Sequence, residues 1–211
     1  MRAAVMEAVR KPLVVKEMPD PQCPPNGVIL RAEAEGICRS DWHAWSGDWS
    51  WIGLVPAMPL VMGHEFCGVI EEVGKEVHNF KKGDRVLVPF SQGDGICQYC
   101  RSGQSHVCDS PSIPGFSYWG GYGRYVGIPN ADMNLVPMPA EVGFLEGASM
   151  GCRFNPRWPR SAGSDFASIA VSTRSTTIAE PARCGGSGTR FRWSACAATE
   201  ALTTRVRPAA A

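Results

Sequence analysis

No stretch of the sequence approaches the 18 consecutive apolar residues of a membrane-spanning helix, so a helical span is excluded. The start, Met1-Arg2-Ala3-Ala4-Val5-Met6-Glu7-Ala8-Val9-Arg10-Lys11-Pro12, lacks the continuous apolar segment of a secretory leader. Neither charge is in surplus. Lysine plus arginine number 21 against 20 aspartates plus glutamates, which gives no argument for nucleic acid or an anionic membrane as partner. Two absences are local. After Arg153 there is no lysine, and Leu202 is the sole leucine among 12 alanines and 14 serines plus threonines. A segment so poor in Leu, Ile, Val and Phe buries little apolar surface. Charge divides at the same place: residues 1–153 hold 13 basic and 17 acidic side chains, and residues 154–211 hold 8 and 3. The chain therefore reads as one well-composed domain over 1–153 and an atypical Ala/Arg/Ser/Thr-rich tail over 154–211.

What is present in the first part is strand-like. Ala3–Met6, Leu13–Lys16, Val28–Glu33, Phe66–Val73, Arg85–Pro89, Tyr122–Ile128 and Asn134–Val136 are short candidates separated by glycine and proline. That punctuation predicts a mainly β domain, a barrel or sandwich with few short helices. The first helix is expected at Val142–Ser149. The stretch 36–62 is rich in tryptophan, and 91–116 is rich in glycine and cysteine. Loops of that length in a compact domain generally have a function or a metal to hold them.

Nine cysteines in 211 residues is a high and odd count. In a cytoplasmic chain, the expected location here, thiols serve metals or catalysis more often than disulfides. Cys97, Cys100 and Cys108 are spaced C-x2-C-x7-C, which suits three thiolates on one structural zinc. Asp94, three residues before Cys97, is a candidate fourth ligand, and His106 is its rival. A redox pair needs a strand-to-helix setting that this stretch lacks, and reduced thiols without metal are the bland alternative. A second constellation is dispersed: Cys38, Ser40, Asp41 and His43 in one segment, His64 and Glu65 in another, Cys152 much later. Cysteine, histidine and cysteine far apart in sequence can form a three-ligand catalytic zinc site. Each alone is more often buried packing.

These motifs resemble the zinc-dependent alcohol dehydrogenases of the medium-chain dehydrogenase/reductase family. The resemblance runs from Met1 to about Phe154. It rests on Gly36-Ile37-Cys38-Arg39-Ser40-Asp41-Trp42-His43, Gly63-His64-Glu65 with Gly68 and Gly74, Gly83-Asp84-Arg85-Val86, the cysteine stretch, Gly120-Gly121-Tyr122 and Gly151-Cys152-Arg153-Phe154. It implies a GroES-like, partly open β-barrel with a zinc-binding lobe at about 91–116. It implies Cys38, His64 and Cys152 as catalytic zinc ligands, and Asp94, Cys97, Cys100 and Cys108 as ligands of a structural zinc. Asp94 departs from the commoner cysteine there. Asp41 resembles the carboxylate behind His64, Glu65 the acid near the metal, Ser40 the substrate-facing hydroxyl and His43 the outer proton relay. Arg39 and His43 stand where a cofactor phosphate or ribose is touched. Trp42, Trp49 and Trp51 line a substrate cleft or pack their loop.

The implied activity is hydride transfer between an alcohol, or an aldehyde or ketone in reverse, and NAD or NADP, often in a homo-oligomer. The resemblance stops where a Rossmann domain should follow. Asn155-Pro156-Arg157-Trp158-Pro159 opposes a helix, and Cys184-Gly185-Gly186-Ser187-Gly188 lacks the strand and helix that a pyrophosphate turn needs. The tail is expected to be disordered or non-native, its composition fitting out-of-frame translation. Alone, the chain is expected to lack a cofactor domain and turnover. A non-catalytic zinc-binding β domain or interaction module is the alternative.

Overall fold

The computed structural model describes residues 1–53 and 56–153. The tail, with Cys184, Cys196 and the glycine-rich run 184–188, lies outside the described residues. Among the described residues eight strands are formed: β1 Arg2–Met6, β2 Val14–Glu17, β3 Val28–Glu35, β4 Leu60–Val61, β5 Phe66–Val73, β6 Arg85–Leu87, β7 Tyr125–Ile128 and β8 Val136–Pro137. Four helices accompany them: α1 Arg39–Ser46, α2 Gln98–Arg101, α3 Ala131–Asn134 and α4 Phe144–Arg153. Single 3-10 turns occupy Ser50–Ile52 and Ser105–Val107.

The expected mainly β barrel is not what forms. The strands make two separate open sheets, one of three strands in the order β2-β1-β4 and one of five in the order β7-β3-β5-β6-β8. All pairings in both are antiparallel. The described residues are a mixture of helix and strand. The error has a physical source. Alternation of side chains reveals that a segment is a strand, but not which neighbour takes its edge hydrogen bonds. Between the sheets the isolated bridge Ala3–Gly123 is found, not a strand ladder.

The five-stranded sheet is the centre of the core. Val28, Leu30, Phe66, Ile70, Val86 and Ile128 are fully buried on it. Each such side chain contributes about 1.5–3 kcal/mol relative to exposure. β3 and β5 pair from Val28–Val73 to Glu35–Phe66, with register shifts after Ile29 and after Ala32. These irregularities bend the pair. α4 packs Ala148 with Cys67, Met138 and Val142. Ala44 of α1 packs with Met6, Leu60 and Met62. Among the described residues no helix is long and apolar enough to cross a membrane.

Candidate metal centres

Cys38 precedes the first turn of α1, in extended backbone (φ -91, ψ 156). Asp41 accepts the Cys38 N–H at 2.9 Å through Oδ2, so the carboxylate caps the helix that Cys38 opens. His64 follows Gly63, whose φ of 98 is a left-handed conformation that a side chain rarely adopts. That turn sets His64 two residues before β5. Cys152 comes from the last turn of α4. The three ligating atoms converge within 4.8 Å of one another. The Cys38 and Cys152 sulfurs are 3.8 Å apart. Two sulfurs at about 2.3 Å from one tetrahedral ion would be about 3.8 Å apart, so the donor set fits zinc.

The surroundings fit as well. His64 is only 1% exposed. Its Nδ1 lies 3.4 Å from Asp41 Oδ1, and both atoms are buried with no other partner. Ser40 Oγ is 2.9 Å from His64 Nε2. Burial opposes ionisation of Cys38, but the Ser40 hydroxyl and N–H, then His64, outweigh it and hold the thiol below its ordinary value. Burial also disfavours the imidazolium of His64, and the Asp41 carboxylate reverses this, raising it to about 9. Cys152 is pushed up to about 12 by burial and then by the charge of Cys38. Without metal, His64 and Cys152 are thus both biased toward their protonated forms. A zinc ion that takes all three must displace protons.

The second cluster joins Asp94, Cys97, Cys100 and Cys108. Cys97 caps α2, its sulfur accepting the Cys100 N–H at 3.4 Å. Cys108 Sγ accepts the N–H of Asp94 at 3.3 Å and lies 3.8 Å from Cys97 Sγ. Asp94 Oδ1 accepts the N–H groups of Cys97 and Ile96 at 3.0 and 2.9 Å, and these hold its carboxyl down at about 2. The rival ligand His106 falls on the Ser105–Val107 turn, outside the group.

The other expected residues have the following surroundings. His43 Nδ1 is 3.1 Å from Asp48 Oδ2, and Trp49 stacks on the ring at 5.2 Å. Glu65 is 3% exposed. Arg39 lies over the Trp42 ring at 4.9 Å. Trp49 contacts Phe116, which in turn faces His64, whereas Trp51 is 82% exposed. Two supporting residues escaped the sequence reading. Asn134 brackets Gly93, beside the cysteine lobe, with hydrogen bonds to its N–H and C=O. Glu35 accepts the Glu65 N–H at 3.0 Å, and burial pushes its carboxyl up to about 8. Neither belongs to a spacing motif. An unexpected acid at the end of a strand was the one available signal, at Glu35.

The profile of the alcohol dehydrogenase GroES-like domain matches residues 24–140. This chain belongs to that family. An alcohol dehydrogenase of Geobacillus stearothermophilus is 42% identical over 153 residues, covering 72% of this chain and 44% of the relative. An NAD-dependent alcohol dehydrogenase of Sulfurisphaera tokodaii is 40% identical over 134 residues, 62% of this chain and 39% of the relative. The solved cobalt- and zinc-bound thermostable alcohol dehydrogenase of Pyrobaculum aerophilum is similar with a TM-score of 0.63 and 30% identity, over 72% of this chain and 44% of that one. The chain thus spans less than half the length of these relatives. Family membership and the two ligand clusters together make this a zinc-binding fold of the oxidoreductase kind.

Proposed function

We propose that the chain is the zinc-bearing catalytic domain of an enzyme that moves hydride between a small alcohol and NAD or NADP. The observation that supports it most is the convergence of Cys38, His64 and Cys152 on one point with Asp41 behind the imidazole. Those three residues would hold the catalytic zinc; Asp94, Cys97, Cys100 and Cys108 would hold the structural one. When bound, the catalytic zinc supplies Lewis acidity to a substrate oxygen and the nicotinamide accepts or returns hydride. Two thiolates and a neutral imidazole would balance the charge of a divalent ion held there.

The chain's own groups then divide the work. Asp41 keeps the Nδ1 side of His64 occupied and so fixes its orientation and tautomer. Ser40 holds the substrate hydroxyl proton, and His43 lies three residues further along α1, on the same helix face. Asp48 orients His43 to pass that proton outward. Glu65 places a buried carboxyl near the metal position, and Arg39 meets a cofactor phosphate. Free thiols in both clusters suit a reducing compartment such as the cytoplasm. The activity is that of whole family enzymes, and residues 1–153 form the domain that carries its metal chemistry.

The test is metal content. The purified chain is expected to hold about two zinc ions, one per cluster, and Cys38→Ser about one. Mass spectrometry under non-denaturing conditions reads both. A single zinc in the parent chain, unchanged in Cys38→Ser, overturns the reading.

A further inference from the structure

β3 ends at Glu35, and its side chain turns back toward the Gly63-His64-Glu65 turn. Oε1 accepts the Glu65 N–H at 3.0 Å. One residue on, Gly36 donates its N–H to Glu65 O at 2.8 Å. Glu65 is thus held at both of its backbone groups by consecutive residues of one strand end. On the opposite side, Gly121 donates its N–H to Gly63 O at 3.0 Å. Any Cβ at Gly121 would collide with Glu35 Oε2, and one at Gly63 would meet the carboxyl carbon at 3.0 Å. The space is shaped around this carboxyl. Oε2 itself is buried and has no hydrogen-bond partner. The strand ladder does not require an acid here, because Glu35 pairs with Phe66 through backbone alone. What the side chain adds is an acceptor for one buried N–H, on the residue next to His64.

We propose that Glu35 is a positioning residue for the Cys38–His64–Cys152 metal cluster, fixing the backbone turn that aims His64 at the two sulfurs. The inference rests on reading that cluster as a zinc site. Glu35 does not touch the metal position; it acts through Glu65 N–H and the peptide between Glu65 and His64. Outer partners of this kind matter because an ion held by three ligands is released when one of them drifts.

Zinc release from the full chain to an excess of a chromogenic chelator tests it. Two phases are expected in the parent, assigned with Cys38→Ser and Cys97→Ser. Glu35→Met keeps the bulk and removes the acceptor; Glu35→Asp withdraws the carboxyl by one methylene. Both are expected to speed the Cys38-cluster phase by about 10- to 100-fold and to leave the cysteine-lobe phase alone. Glu35→Gln keeps an accepting oxygen and is expected to restore the parent rate. In the cobalt-loaded proteins, the ligand-field bands of the Cys38 cluster should shift in the Met and Asp variants and not in Gln. Equal acceleration of both phases, as from general destabilisation, overturns the proposal. So does an unmoved Cys38 phase, or Gln behaving like Met. Should Glu35→Met lose both metals by misfolding, Glu35→Asp decides. A parent chain with no Cys38 phase overturns the zinc reading and this inference together; a parent with both phases and unaffected variants overturns the inference alone.

Discussion

Cys38 and Cys67 are pulled in opposite directions by their surroundings. Cys67 is wholly buried, donates to Phe144 O at 3.0 Å, and is pushed up to about 12 by burial. Cys38 is held below its ordinary value because the hydrogen bonds from Ser40 and His64 outweigh its burial. Cys97 is lowered by the N–H groups of Cys100 and Asp109, while burial raises Cys100 to about 12. The thiolate is the nucleophile, so a lowered thiol reacts sooner at a given pH and a raised one later. In chelator-treated protein, iodoacetamide is therefore expected to label Cys38 and Cys97 first, and Cys67 only after denaturation. Peptide mass spectrometry at timed intervals checks this, and early labelling of Cys67 would contradict it. At this scale the sequence was informative where ligands have fixed spacing. Cys97, Cys100 and Cys108 announced themselves, and Asp94 rather than His106 completes their group. Glu35 did not, because its role depends on which backbone N–H the fold places opposite it.

Among the elements, α3 has a role beyond its single turn. It delivers Asn134, 3% exposed, whose Oδ1 accepts the Gly93 N–H at 2.9 Å while Nδ2 donates to Gly93 O at 3.0 Å. Gly93 immediately precedes Asp94, so the cysteine lobe is tethered through this amide. Asn134→Ala would leave a buried N–H and a buried C=O without partners, each costing about 1–3 kcal/mol. A lower urea midpoint is expected, with faster metal loss from the lobe and none from Cys38; an unchanged midpoint would exclude the tether. The strands were largely legible. Phe66–Val73 matches β5 at both ends, and Val28 opens β3 as expected. Helix α1 was not legible. Arg39–Ser46 carries two tryptophans without a clear apolar stripe, and its leading residue is Cys38, not one of the usual capping residues. Sheet closure is not legible in the sequence, because edge pairing leaves no mark on side-chain alternation.

Across the molecule, composition divides after Arg153. Residues 1–153 hold both ligand clusters, and we expect a polypeptide of those residues to keep both zinc ions. Its melting temperature should stay within about 4 °C of the whole chain's, a difference under 1 kcal/mol. Calorimetry on the two polypeptides measures this, and a larger drop would show that the domain extends further. The two clusters also differ in how much chain each one closes. Asp94 and Cys108 are 14 residues apart, whereas Cys38 and Cys152 are 114 apart. Closing the longer loop costs about 2 kcal/mol more chain entropy, from the logarithmic dependence on loop length. During synthesis the ribosome completes the short loop well before Cys152 has been made. The lobe metal can therefore be captured cotranslationally, while the dispersed site waits for the last turn of α4, so order of loading is written into the spacing of the ligands.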